Sequence, residues 1–318
     1  MTRRFSTISL VKPGWMETHH MKKRIEILTQ NIKKNTTLQA RNIYVIDAEV
    51  HVTAGVTLTV EDRTTILITN GLKPKSKIRR SALIFDQGST LKAKRMYVKA
   101  ANPEFKPVKL SDNGGIWFLG NFQDASKDTI SVTMNRKKPL SSFSADMIAT
   151  YYLGRYDPEK ENAKTKKIAS RDDIDGFSIL GVGKTEWSVN TLRSFYSADD
   201  ALDITNSHVR FNRIEIKNPQ EDGLNLSSSR VEVYKSLILD VTKDTRSDRD
   251  LFDFEVDDGS TFLEIHRHCA INIRGCFGDQ VVLSSIDLPQ PNPNPNARYA
   301  FKGKSKNRSS LVYSICRD

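Results

Sequence analysis

Cysteine is scarce in this chain: three residues in 318, at Cys269, Cys276 and Cys316. An odd number cannot all pair internally, Cys269 and Cys276 stand too close for a useful staple, and no zinc-type spacing surrounds them. Free thiols filling the core or a turn are therefore expected, which suits a reducing compartment. Aromatics make up 8% and hydrophobic residues 38%, low for a compact globule but suited to strands that alternate in and out. No run approaches the roughly 18 apolar residues of a membrane helix. A Gly-rich phosphate loop, a Ser/His/Asp signature and a Cys-x-x-Cys pair are all missing, so nucleophilic catalysis has no specific support. The opening residues lack the apolar stretch of a secretory signal. Met16 and Met21 are further possible starts, and residues 1–20 are expected to lie outside the fold as an extension.

What is present is a repeat. Asp175-Gly-Phe-Ser-Ile, Asp200-Ala-Leu-Asp-Ile, Asp222-Gly-Leu-Asn-Leu, Asp250-Leu-Phe-Asp-Phe and Asp279-Gln-Val-Val-Leu succeed one another at spacings of 25, 22, 28 and 29 residues. That period, with insertions tolerated, marks a solenoid. Each repeat places an acidic turn residue before alternating apolar positions, the period-2 pattern of a short strand with one buried face. Stacked, such strands make an all-β, single-stranded parallel β-helix. Its core is one column, so one structural domain is expected over 21–290, with a Pro/Asn-rich segment and tail at 291–318.

Along the chain, Ile43 to Ile46, Val50 to Val52, Val56 to Val60 and Ile66 to Ile68 read as early strands punctuated by Asp47, Gly55 and Asp62. The amphipathic segment Ile25 to Ile32 is expected to cap the open first coil. Asn113 to Asn121 is a strand bracketed by glycines, with Trp117 packing inside or against the insertion next to it. That insertion is residues 122–170, polar and Lys-rich, which read as one long excursion along the side of the helix. Within it Tyr151, Tyr152, Arg155 and Tyr156 suit contacts with sugar rings or anions, and equally the anchoring of the insertion.

The formal net charge is +11. Residues 1–110 hold 21 of the Lys and Arg against 8 of the Asp and Glu, so the basic character belongs to the N-terminal third. A polyanionic partner or a solvated, edge-protecting loop around Lys73 to Arg80 both account for it.

Several segments together resemble a known family, the bacterial cell-surface right-handed parallel β-helix proteins with a pectate-lyase-like solenoid, often lipoproteins. The likeness runs through Asn42-Ile-Tyr-Val-Ile-Asp-Ala-Glu-Val-His-Val-Thr-Ala-Gly-Val-Thr-Leu-Thr-Val-Glu, Ser81-Ala-Leu-Ile-Phe-Asp-Gln-Gly, Gly114-Gly-Ile-Trp-Phe-Leu-Gly-Asn, Gly154-Arg-Tyr-Asp-Pro, Leu180-Gly-Val-Gly and Tyr196-Ser-Ala-Asp-Asp-Ala-Leu-Asp. The resemblance implies the right-handed sense of the coil and a cell-surface location. It implies no reaction and supplies no catalytic residues.

Strand geometry puts Ser178, Asp203, Asn225 and Asp253 on the outer face, one per coil. Asp203 and Asp253 then stand two rungs apart, about 9–10 Å, beside the upper end of the roughly 6.5–9.5 Å found between inverting-glycosidase carboxylates. With Asp199 and Glu221 nearby, this patch fits a general acid and base, or a hard cation such as Ca²⁺, the one cofactor considered. Asn225 is a ligand-binding candidate on the same column. The five lead aspartates are assigned to the turns, where a side-chain oxygen accepts backbone N–H groups. Glu264, His266 and His268 share a face, a metal-like spacing that solvated side chains also show. His51 stands alone.

These residues leave three functions open. The first is a non-catalytic binding or scaffold protein whose side face takes a glycan or another anionic surface. The second is a polysaccharide hydrolase or lyase using Asp203, Asp253 and Asp199. The third is nucleic-acid binding through the basic third, against which the lack of interleaved aromatics counts.

Overall fold

The computed structural model describes residues 24–69, 81–102, 106, 114–120, 139–154, 176–241, 249–255, 261–266, 269–275, 281–284 and 299–303. Among them the chain is all-β, without a helix, and every strand pairing is parallel. Seven short strands form one sheet: β4 (Glu49–Val52), β7 (Ala82–Phe85), β9 (Ile116–Leu119), β11 (Phe177–Leu180), β13 (Asp203–Thr205), β15 (Leu224–Ser227) and β17 (Phe252–Glu255). A second sheet of fourteen is built on long strands, β8 (Thr90–Ala101), β10 (Ser142–Tyr151), β12 (Trp187–Phe195), β14 (His208–Lys217) and β16 (Arg230–Asp240). On their N-terminal side stand β1 (Arg24–Leu28), β2 (Thr36–Leu38), β3 (Asn42–Ile46), β5 (Thr57–Val60) and β6 (Thr64–Thr69). On the other lie β18 (Phe262–Ile265), β19 (Ala270–Arg274), β20 (Val281–Ser284) and β21 (Tyr299–Gly303).

Each long strand serves two faces. The first half of β8 pairs with β5 and its second half with β6, and β16 likewise pairs with β18 and then β19. Three faces surround one core, each coil adding one rung per face, the arrangement of a β-solenoid. Alternation fills that core. Leu91, Met96 and Val98 of β8, Phe143 and Ile148 of β10, and Trp187, Val189 and Leu192 of β12 all point inward and are buried. Phe85 stacks on Phe118 at 4.9 Å and 5°, with Phe143 and Trp187 set edge-on to Phe118. Glycine marks close backbone approach between coils: a Cβ on Gly114 would stand 1.7 Å from the Ser81 carbonyl oxygen, and one on Gly120 would stand 2.3 Å from that of Gly181.

Three expectations need correction. Arg24–Leu28 is a strand in register with β3, not a cap lying over it, because Ile25, Glu26 and Ile27 alternate with period two. The range 122–170 is not one insertion. Ser142–Tyr151 inside it is β10, bonded to β8 on one side and β12 on the other, its polar Ser142, Ser144 and Asp146 being the outward half of an alternation whose inward half is Phe143 and Ala145. Residues 121–138 and 155–175 lie outside the described residues. Residues 291–318 are not a tail throughout, since Tyr299–Gly303 returns to the sheet beside β18 and β20. Trp117 packs outward, with Ala82, Ile84, Leu119 and Leu180, in a small buried cluster on the short-strand face.

Candidate functional site

The long strands end at one corner of the coil, and after β10, β12 and β14 the next residue turns the chain through a left-handed conformation. Tyr152 (φ 58), Tyr196 (φ 57) and Asn218 (φ 48) occupy that position on three successive coils. Their N–H groups donate to the next coil: Tyr152 to Phe195 O (3.0 Å), Tyr196 to Lys217 O (2.8 Å), Asn218 to Asp240 O (2.7 Å). Asparagine tolerates this backbone; tyrosine does so at a cost of roughly 1–2 kcal/mol. The two tyrosine rings stack, centroids 5.1 Å apart and 12° from parallel. Where Asn218 takes over, the stack ends in a step, and Tyr196 is 40% exposed there. Just inside, Tyr151 lies 5.3 Å from Phe195, with Lys99 Nζ 5.0 Å from the Tyr151 centroid and Lys217 Nζ 5.4 Å from that of Phe195. Burial raises the Tyr151 phenol pKa above its ordinary value, with the neighbouring Tyr97 acting the same way.

The same turn continues into the acids. Asp199, Asp200 and Glu221 each bring one carboxylate oxygen within 4.8 Å of the others. Oxygen donors of this kind suit a hard cation. Asp200 and Asp222 accept backbone N–H groups in the turns, as expected, and the turns they reach are those of the next coil. Asp200 Oδ1 accepts the Asp222 N–H at 2.7 Å and Oδ2 accepts from Asn225 Nδ2 at 2.9 Å, while Asp222 Oδ1 accepts the Asp250 N–H at 2.6 Å. Burial raises the pKa of both acids; the charge of Glu221 adds to the effect at Asp200, and that of Asp200 at Asp222. Asp175 and Asp279 lie outside the described residues.

The outward column is in register as expected, Ser178 opposite Asp203, Asp203 opposite Asn225, and Asn225 opposite Asp253. It is less open than an outer face implies: Asp203 is 9% exposed, and Asp199 is buried as well, whereas Asn225 and Asp253 are half-buried. Arg155 and Tyr156 lie outside the described residues. Sequence reasoning missed Phe195 and Tyr196, although the aromatic pair Tyr151-Tyr152 recurs there at the same strand end, and it gave Asp200 and Asp222 only turn duty.

The histidines proved connected. His51 is not alone: its Nδ1 lies 2.7 Å from Asp86 Oδ1 and its Nε2 2.9 Å from Glu49 Oε1, and hydrogen bonds to Asp86 and Glu49 hold it protonated, its pKa raised to about 9. On β16, Glu232 is a hub. Lys184 Nζ stands 3.0 Å and His208 Nε2 2.7 Å from Oε1, Tyr234 OH donates to Oε2 at 2.6 Å, and His266 stacks on Tyr234 at 3.7 Å. Burial alone would raise the Glu232 pKa, but bonds from Tyr234, His208 and Lys184 outweigh it and hold it at about 2. Glu264, expected beside His266 as part of a metal-like face, pairs with Arg230; His268 lies outside the described residues.

No family model, curated protein or solved structure matches this chain.

Proposed function

We propose that the chain is a non-catalytic, right-handed parallel β-helix, akin to the cell-surface proteins it resembles, that binds a glycan at the aromatic step of Tyr151, Tyr152 and Tyr196. One observation carries this reading: two tyrosines are held at positive φ on adjacent coils where asparagine would sit with less strain. The pair costs roughly 1–2 kcal/mol at each position, and stacking returns only about 0.5–1.5 kcal/mol. Backbone strain of this sort concentrates at ligand sites. The exposed Tyr196 ring above the smaller Asn218 is a platform for the apolar face of a sugar, with the half-buried Glu221 and Asn225 farther round the turn as hydrogen-bond partners for hydroxyl groups.

The raised pKa values of Asp200 and Asp222 favour a second reading, polysaccharide cleavage with Asp199, Asp203 and Asp253. Burial of Asp199 and Asp203 weighs against it, since a polymer has to reach its general acid and base. Affinity electrophoresis in gels cast with neutral and acidic polysaccharides tests the first reading. At least one polymer retards the protein, and Tyr196→Ala abolishes that retardation while the circular dichroism spectrum is kept. Absence of retardation across the panel sinks glycan binding. Release of reducing ends by the wild type, lost in Asp203→Asn, replaces it with the enzyme.

A further inference from the structure

The aromatic step holds several rings, and their faces are not equally open. Lys99, Tyr151, Phe195 and Lys217 follow one another in register on four successive coils. The two rings lean together at 5.3 Å, and an ammonium closes each end of the pair, Lys99 Nζ 5.0 Å from the Tyr151 centroid and Lys217 Nζ 5.4 Å from that of Phe195. A sugar lying flat on either ring would have to displace a cation–π contact. Tyr97 stands apart from the corner: it is in register with Ala149 and, through it, with Arg193, two coils before Tyr196.

At the corner itself Tyr152, Tyr196, Asn218 and Val241 succeed one another, each donating its N–H to the last strand residue of the next coil. One face of Tyr196 lies on Tyr152, centroids 5.1 Å apart and 12° from parallel, and Tyr152 packs in turn against the core. On the other side Asn218 is smaller than a ring, and Val241 is fully buried in the core. The stack therefore stops after two rings, with the third place filled only in part. The coils rise by about 4.8 Å, so that place has the thickness of one more ring.

We infer, building on the glycan reading above, that the site takes its ligand one sugar ring at a time, a ring that completes the stack over Asn218, and that it recognises short oligosaccharides rather than the length of a polymer. Equatorial glycosidic bonds leave a pyranose near its own mean plane. A chain whose ring lies parallel to Tyr196 therefore cuts across the line of coils instead of following it. One neighbouring sugar falls on the side of Lys217 and the other on the side of Gln220 and Glu221, which flank Asn218 along the chain. Sugars farther out pass beyond the corner into solvent. A polymer lying along the solenoid would need open ring faces on successive coils, and Lys99 and Lys217 already occupy those of Tyr151 and Phe195.

Isothermal titration calorimetry of the full chain with cello-oligosaccharides, chito-oligosaccharides and oligogalacturonides, each from monomer to hexamer, tests this. In the series that binds, affinity climbs as far as the trimer and is level from there to the hexamer. Asn218→Tyr puts a third ring into the stack and weakens binding about tenfold or more, with circular dichroism showing that the fold is kept; should that variant not fold, the length series on the wild type decides alone. Three outcomes overturn the inference and leave glycan binding standing: affinity that keeps climbing from trimer to hexamer, retardation by a polysaccharide whose oligosaccharides do not bind, or an Asn218→Tyr protein that binds as well as wild type or better, as an added platform would. Absence of binding to every oligosaccharide and every polysaccharide sinks the glycan reading and this inference with it.

Discussion

Replacing Glu232 by glutamine removes one negative charge from a side chain that is 6% exposed and keeps its volume. Three donors lose their common acceptor charge: Lys184 at 3.0 Å, His208 at 2.7 Å and Tyr234 at 2.6 Å. The carboxyl is held at about 2 against an ordinary 4.5, and each pKa unit corresponds to about 1.4 kcal/mol. That sets an upper figure of roughly 3.5 kcal/mol. Lys184 is 43% exposed and recovers water when the charge goes, so a loss of about 2–3 kcal/mol is expected at neutral pH. Urea unfolding tracked by circular dichroism reads it as a lower midpoint. The pH dependence has a definite sign. A depressed folded pKa stabilises above the unfolded value and loses that contribution as the carboxyl is protonated. The gap between wild type and variant should therefore be full above pH 4.5 and close as pH falls toward 2. Equal midpoints at pH 7, or a gap constant down to pH 2, would refute the hub.

His51 carries the opposite sign: its raised pKa gives stability that is full below 6.5 and lost as pH rises through about 9, so the midpoint of wild type, but not of His51→Gln, should drop by an amount worth about 1–2 kcal/mol across that window. Asp222→Asn imitates a carboxyl kept protonated by burial and by Asp200; it should be more stable than wild type at pH 8 and lose that advantage at acid pH, which thermal melts at both pH values would check. Tyr196→Asn relieves a left-handed tyrosine and should leave stability unchanged or raise it by up to about 1 kcal/mol while glycan retardation disappears, a combination no purely structural tyrosine gives. Gly114→Ala would drive a Cβ to 1.7 Å from Ser81 O and should yield little soluble protein, whereas Gly55→Ala, with open space but φ +77, should fold with a loss of about 1 kcal/mol.

The parallel, all-β architecture was legible because the repeat states it twice, in the period of the lead aspartates and in the alternation after each. Register along Ser178, Asp203, Asn225 and Asp253 came out of the same arithmetic. Strand β10 was not legible: Ser142, Ser144 and Asp146 look like loop when their inward partners Phe143 and Ala145 are not weighed with them. The burial of the outward acids could not be read either, since alternation fixes which side of a strand a residue takes and not what covers that side. Partners across coils, such as His51 with Asp86 or Asp200 with Asp222, are 35 and 22 residues apart, and only the stacking of coils brings them together.

The reach of Asp200 and Asp222 from coil to coil couples unravelling of the stack to protons. Asp200 holds the N–H of Asp222, and Asp222 that of Asp250, so each acid bonds into the coil stacked after it. Peeling away the C-terminal coil uncovers a carboxyl that had been kept neutral; it sheds its proton to water and gains solvation, which rewards the next step of peeling. Loss of the coil that carries Asp200 exposes that acid as well and leaves the Asp222 amide to water. Fraying through these coils should release protons as it proceeds and run faster in alkaline solution.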